Sequence, residues 1–314
     1  MQQPELSTSV TANKAAAVKK KKWRNKTSLY GWLFVTPWLL GLIIFYAFPL
    51  LSSIYFSFTT YSILQPGEFV GLQNYRDLMN DDLFWKSVAN TIYFAALYVP
   101  LSIIFGVCLA MVLNLKIRGM TVYRTIFFLP TLVPQVALAV LWMWLLNPQF
   151  GLVNGMLDLF GIQGPAWLGS ETWSKPSIVI MSLWGIGQAV VIYLAGLTDI
   201  SEDYYDAAEV DGANWFQKTV HITLPLLTPV IFFNLVMGVI GAFQQFALPY
   251  ALTGGQGTPA NSLTFYVMYL YDNGFKFFKM GYASAMAWIL FAIIMLLTAV
   301  IFSTSKRWVH YQGK

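Results

Sequence analysis

Residues 39–45 read Leu39-Leu40-Gly41-Leu42-Ile43-Ile44-Phe45, seven positions in a row without a polar side chain. A membrane strand alternates lipid-facing apolar with lumen-facing polar residues; a run apolar all round suits a helix in lipid. This run lies inside residues 27–67, a stretch with no Asp, Glu, Lys or Arg, and five more such stretches follow at 87–115, 125–157, 176–198, 219–271 and 280–305. Each exceeds the roughly 20 residues a helix needs to cross a hydrocarbon core about 30 Å thick. Their apolar centres predict spans near 30–58, 88–113, 123–146, 176–198, 225–250 and 282–302. The expected fold class is all-α: a polytopic membrane protein with six transmembrane helices within residues 27–305.

Composition agrees. Of 314 residues, 57% are hydrophobic and only 11% charged, which leaves too few charges to coat a soluble domain of this size. Cys108 is the single cysteine, so a disulfide scaffold is excluded. With six spans both termini share a side, and that side receives 14 of the 19 Lys and Arg residues. The positive-inside rule places it in the cytoplasm, with the whole chain multi-pass in a cytoplasmic membrane. The basic lead over residues 1–26, with Lys19-Lys20-Lys21-Lys22 followed by Trp23, Arg24 and Lys26, suits an anionic lipid surface, and a nucleic-acid tail is the competing reading. A cleaved signal sequence fits less well, because the apolar stretch beyond Leu29 exceeds a typical signal core. Residues 306–314 form a short tail on the same side.

The opposite side carries short loops. Residues 150–164 suit a short interfacial helix, and Gly254-Gly255-Gln256-Gly257-Thr258-Pro259 is turn-rich. That segment is a poor phosphate cradle, because no Lys-Ser/Thr follows it. The chain also shows no metal-ligand spacing of the Cys-x-x-Cys or His-Glu-x-x-His kind. His221 and His310 read as surface or interface residues; Cys108, Met237 and Met295 read as packing residues. Pro100, Pro130 and Pro134 are expected to kink their helices.

Residues 199–224 are unlike the rest. Asp199, Glu202, Asp203, Asp206, Glu209 and Asp211 put six acids into thirteen residues, with no base before Lys218. Ser201 can cap a helix running through Val210, Gly212 permits a sharp turn, a second short helix follows from Ala213 to His221, and Pro225 opens the fifth span. A solvated connector would account for the charge. It does not account for Tyr204, Tyr205, Trp215 and Phe216 beside Ala207 and Ala208, a mixture that suits docking onto a basic partner.

Asp206-Ala207-Ala208-Glu209-Val210-Asp211-Gly212-Ala213, followed by Ile222-Thr223-Leu224-Pro225, resembles the EAA coupling loop of MetI-like ABC import permeases. Asp206 stands where the family pattern has Glu, which keeps the charge and shortens its reach. Leu33-Phe34-Val35-Thr36-Pro37, the segment Phe69 to Tyr75 and Arg124-Thr125-Ile126-Phe127-Phe128-Leu129-Pro130 are similar to the first-permease type of the carbohydrate branch. The resemblance implies that Asp206, Ala207, Ala208, Glu209, Asp211 and Gly212 seat in a cleft of an ATPase subunit, with Leu224 and Pro225 forming the join to the membrane helix. It implies a second homologous permease, two ATPase subunits that bind ATP and magnesium, and an extracytoplasmic solute-binding protein. This chain would hold no cofactor and perform no catalysis.

The spans contain no charge, which argues against a bare ion as cargo. Neutral groups that could bind sugar hydroxyls or stack on a ring are Asn90, Tyr93, Gln135, Trp184, Gln188, Tyr193, Asn234, Gln244 and Gln245. Gln188, Asn234, Gln244 and Gln245 are the first candidates, with Trp184 and Tyr193 beside them. Buried amides also staple helices, so both roles stay open. A sugar phosphate is the alternative cargo, and an ATP-independent secondary transporter the alternative machine.

Overall fold

In the computed structural model, residues 30–310 are described; the basic lead at 1–26 and the last residues of the tail lie outside them. The chain divides into two units, one ending at Phe56 and one beginning at Ser57. The described residues of the first lie in a helix, α1 (Tyr30–Ser57), whose last residue begins the second unit, with a π turn over Ile43–Ala47.

The second unit is built around α3 (Asp82–Leu113), preceded by α2 (Gln73–Met79). Asp81 caps α3, its Oδ1 accepting the Leu83 and Phe84 amides at 2.9 and 3.2 Å, and the helix runs unbroken through Pro100. Then come α4 (Met120–Phe128), a 3₁₀ turn over Leu129–Leu132, and α5 (Gln135–Leu145). The two arms meet at 100°. Pro134 explains the break: its ring forces Val133 into an extended conformation, with ψ at 124°. The short α6 (Leu152–Leu159) follows, and then α7 (Glu171–Trp184) and α8 (Gly187–Thr198), bent by 49°. After α9 (Glu202–Val210), α10 (Trp215–Lys218) passes through a π turn over Thr219–Thr223 into α11 (Leu224–Phe243). The chain closes with α12 (Ala247–Thr253), α13 (Tyr266–Tyr271), a π turn over Asp272–Lys276 and α14 (Met280–Ser305). Among the described residues four helices are long and apolar enough to cross a membrane, and up to six spans result if each bent pair counts as one. The fold is that of an all-α polytopic membrane protein.

Helix α3 packs against α7, α8, α11 and α13. At Gly106 it approaches α8 so closely that a Cβ would lie 2.8 Å from Tyr193 Cε2; a small residue there lets two membrane helices meet. One apolar core, around Phe94, Ile178, Phe265 and Met286, fills the end opposite residues 199–224. A second, around Ala110, Val190, Leu194 and Leu227, lies beneath α9. The turn-rich segment after Thr253 leads into a packed plug in which Ser262, Leu263, Thr264 and Phe265 are buried. Buried loop backbone requires partners. Asn90 Nδ2 supplies two, donating to the carbonyls of Asn261 and Thr264 at 2.9 and 3.0 Å, while Thr91 Oγ1 accepts the Tyr266 amide at 3.0 Å.

Candidate functional site: a coupling turn joined to a polar cavity wall

The acidic segment folds as two short helices around a tight turn. Ser201 caps α9 by accepting the Asp203 amide at 3.3 Å, with Glu202 and Asp203 in the first turn against the positive helix end. At the other end the Gly212 amide donates to the Glu209 carbonyl at 3.0 Å and the Ala213 amide to the Ala208 carbonyl at 2.9 Å. This paired arrangement places one residue in the left-handed region, here Gly212 at φ +75°. Asn214 and Gln217 then form a reciprocal capping box that opens α10. Lys218 Nζ bonds Glu209 Oε2 across the turn at 2.8 Å and holds the exposed Glu209 carboxyl below its ordinary pKa.

Asp206, Ala207, Glu209, Asp211 and Gly212 are exposed and Ala208 is half-buried, while Leu224 and Pro225 sit half-buried at the join to α11. Trp215 and Phe216 are 69% and 67% exposed. Val210, absent from the residues singled out in the sequence, is 89% exposed. The turn therefore presents carboxylates and apolar side chains together. Pro225 does not open a separate helix: the helix that begins at Trp215 continues through the π turn over Thr219–Thr223 into α11, so Pro225 lies inside it, directly after the widened turn. The Tyr205 hydroxyl, 2.9 Å from Thr223 Oγ1, ties α9 to that join.

Further along α11 lie two adjoining cavities of about 300 and 280 Å³. The first is lined by Gln188, Tyr193, Asn234 and Ser102, the second by Gln135, Gln245 and Ser182. Tyr98, Gly185, Met237 and Gly238 border both. Among the described residues no charged side chain lines either cavity. Asn234 Nδ2 donates to the Val230 carbonyl at 3.0 Å, and its Oδ1 has no partner among the described residues. The Tyr193 side chain is buried and its hydroxyl lacks a partner there. Tyr98, not among the residues chosen from sequence, stacks on Phe94 with ring centroids 5.1 Å apart and planes 8° from parallel. No sequence signal separates it from the other tyrosines.

Other candidates fall elsewhere. Trp184 lines an apolar cleft and meets Trp142 edge-on, with centroids 6.1 Å apart. Gln244 is exposed at the end of α11 and borders neither cavity. Asn90 is a staple for the plug, and Tyr93 lies under Lys175 Nζ at 5.1 Å. Met237, read from the sequence as a packing residue, borders both cavities. Among the described residues no cluster of three or more His, Cys, Asp or Glu could hold a metal ion.

A neutral polar cavity wall is thus carried on a membrane helix that continues from an exposed acidic turn. Residues 77–310 match the family model of the binding-protein-dependent transport system inner membrane component, and the chain belongs to that family. It is 38% identical over 308 residues to the probable ABC transporter permease protein YesP of Bacillus subtilis, covering 97% of this chain and 99% of that protein. It is 35% identical to the sulfoquinovosyl glycerol transport system permease protein SmoG of Agrobacterium fabrum, over 83% of this chain and 85% of that one. A chain of a bacterial alginate ABC transporter, crystallised with an alginate pentasaccharide-bound periplasmic protein, shares the fold. It has a TM-score of 0.79 and 23% identity over 93% of this chain and 98% of that one. The chain is thus a multi-pass inner-membrane permease subunit of an ABC importer, a transport component rather than an enzyme.

Proposed function

We propose that the chain forms, with a second homologous permease, the path by which a carbohydrate released from an extracytoplasmic solute-binding protein crosses the membrane. Two ATPase subunits bind ATP and magnesium, and residues 199–224 seat in a cleft of one of them. The single observation that carries this reading is the continuity of the helix from Trp215 to Phe243, with the docking turn at one end and Asn234, Met237 and Gly238 on the cavities further along. From Thr223 to Asn234 is about 16 Å of helix, at about 1.5 Å per residue. A helix clamped at its base by the Tyr205–Thr223 contact moves as a lever, so displacement of the turn shifts the cavity wall. Gln188 and Asn234 offer amides to sugar hydroxyls, and the Tyr98 ring offers a face to the apolar side of a sugar. A carbohydrate cargo is supported by the names of relatives, which include a sulfoquinovosyl glycerol permease. The lack of any basic side chain on the cavities disfavours a sugar phosphate. The 14-to-5 division of Lys and Arg supports cytoplasmic placement of both termini and of the coupling turn. The working division of the chain is the lead at 1–26, the permease domain at 27–305 and the tail at 306–314.

Reconstitution tests this. The purified assembly in proteoliposomes, supplied with its binding protein, is expected to take up labelled oligosaccharide only with ATP. Charge reversal at Asp206 should lower both uptake and the retention of ATPase subunits. Uptake without ATP by the chain alone would replace this reading with that of a secondary transporter.

A further inference from the structure

The tail that follows α14 lines neither cavity, yet it returns to the lever helix α11. After Ser305 the Arg307 amide donates to the Thr304 carbonyl at 3.1 Å, and the Trp308 and Val309 amides to the Ser305 carbonyl at 3.1 and 2.9 Å, which closes a turn. Two contacts on α11 follow. The His310 amide donates to Thr228 Oγ1 at 2.9 Å. The Trp308 and Phe232 rings meet edge-on, with centroids 6.0 Å apart and planes at 65°. Phe302, on α14 itself, meets the same Phe232 ring at 4.9 Å and 84°. Edge-to-face pairs at such separations are favourable beyond the apolar area they bury.

Thr228 and Phe232 are four residues apart, on one side of α11, and Pro229 lies between them. Proline has no amide, so Pro229 leaves the Pro225 carbonyl without its donor from the helix ladder. The Thr228 hydroxyl takes that place, donating to the Pro225 carbonyl at 2.6 Å, and its oxygen in turn accepts the His310 amide. The tail is therefore fastened where the hydrogen-bond ladder of α11 is interrupted, once before the proline and once after it. Asn234, on the wall of the first cavity, stands two residues beyond Phe232, about 200° further round at 3.6 residues per turn. The fastening thus holds the side of α11 away from Asn234. Helices bend at proline gaps. We propose that residues 306–310 are a splint across Pro229, with Trp308 as its positioning residue, so that displacement of the coupling turn reaches the cavity wall instead of bending the helix below it. This inference rests on the lever reading proposed above.

The purified assembly in proteoliposomes, with its binding protein, reports the ratio of ATP hydrolysed to labelled oligosaccharide taken up. Trp308→Ala is expected to raise that ratio about fivefold, the factor that matches one aromatic contact, with little change in the thermal unfolding of the permease. Trp308→Phe, which keeps a ring, should stay near wild type. His310→Pro, which removes the donating amide at an exposed position, should act in the same direction as Trp308→Ala. The deciding variant adds Pro229→Ala to Trp308→Ala. Alanine returns the amide that the ladder lacks, so the ratio should fall back toward wild type, a rescue that a general loss of stability would not produce. An unchanged ratio in Trp308→Ala and His310→Pro, or a raised ratio that Pro229→Ala does not lower, would overturn the splint, while ATP-driven uptake by the wild type would leave the lever reading standing. Wild-type uptake without ATP would overturn both.

Discussion

Replacing Gly212 with alanine isolates what the coupling turn owes to its backbone. Gly212 sits at φ +75°, and a Cβ added there would meet nothing within 4 Å. Steric clash with the fold therefore contributes nothing, and the cost is the left-handed conformation itself, about 1–2 kcal/mol for a residue with a Cβ. That energy falls on the turn that closes α9. Helix α9 has no buried residue, so the loss frays the docking element without opening either core. A cost of about 1–2 kcal/mol lowers the population of the docking geometry by about 5–30-fold. The assay is the affinity of the ATPase subunits for the detergent-purified permease pair, with thermal unfolding of the permease run in parallel. Affinity should fall by that factor with little change in unfolding temperature. Gly212→Asn should be milder than Gly212→Ala despite its larger side chain, because asparagine tolerates the left-handed region. Loss that instead grows with side-chain size would mean that the partner presses on Gly212 directly, and the backbone argument would be wrong.

Three further outcomes follow from the geometry. Gln188→Ala and Asn234→Ala should raise the substrate concentration needed for half-maximal uptake, and Tyr98→Ala should do so more strongly if its ring is a stacking face; uptake kinetics in proteoliposomes measure this. The Asp81 carboxylate accepts hydrogen bonds from the Tyr269 and Tyr282 hydroxyls as well as from its cap amides. Burial alone would raise its pKa, but these bonds together outweigh burial and lower it, while burial and the bond to Asp81 push Tyr269 up to about 12. The stabilisation is thus present above the unfolded carboxylate value of about 3.9 and lost as pH falls through the lower folded value; Asp81→Ala should cost about 2–3 kcal/mol at neutral pH, and Asp81→Asn should flatten the acid limb of the unfolding profile. Tyr205→Phe, which removes the hydroxyl bonded to Thr223, should leave ATPase docking intact and weaken the link between ATP hydrolysis and uptake, seen as a higher ratio of ATP consumed to sugar moved.

Local chemistry explains which parts were legible beforehand. The coupling turn is written in adjacent residues: Ser201 as cap, Gly212 at the turn and Asn214 before Gln217 are each recognisable from their own conformational preferences. Its continuity into the membrane was not, since Pro225 reads as a helix start and the residues before it as a separate piece. The break at Pro134 was foreseeable as a kink, but not as a 100° turn, because proline removes a donor without fixing where the next helix points. Among the polar candidates, Gln188 and Asn234 reached one cavity while Asn90 became a staple for the Asn261 and Thr264 carbonyls. All three are neutral amides in apolar helices, and nothing in their own neighbourhoods tells them apart.

The sequence by itself determined the membrane character, the apolar stretches, the charge asymmetry and the acidic turn at Gly212, since each depends on residues close together in the chain. Tertiary structure alone decided that Tyr98 and Met237 border both cavities and that Trp184 faces an apolar cleft. Those roles depend on which helix faces come together, and in lipid, where every face is apolar, hydrophobic pattern cannot choose among them.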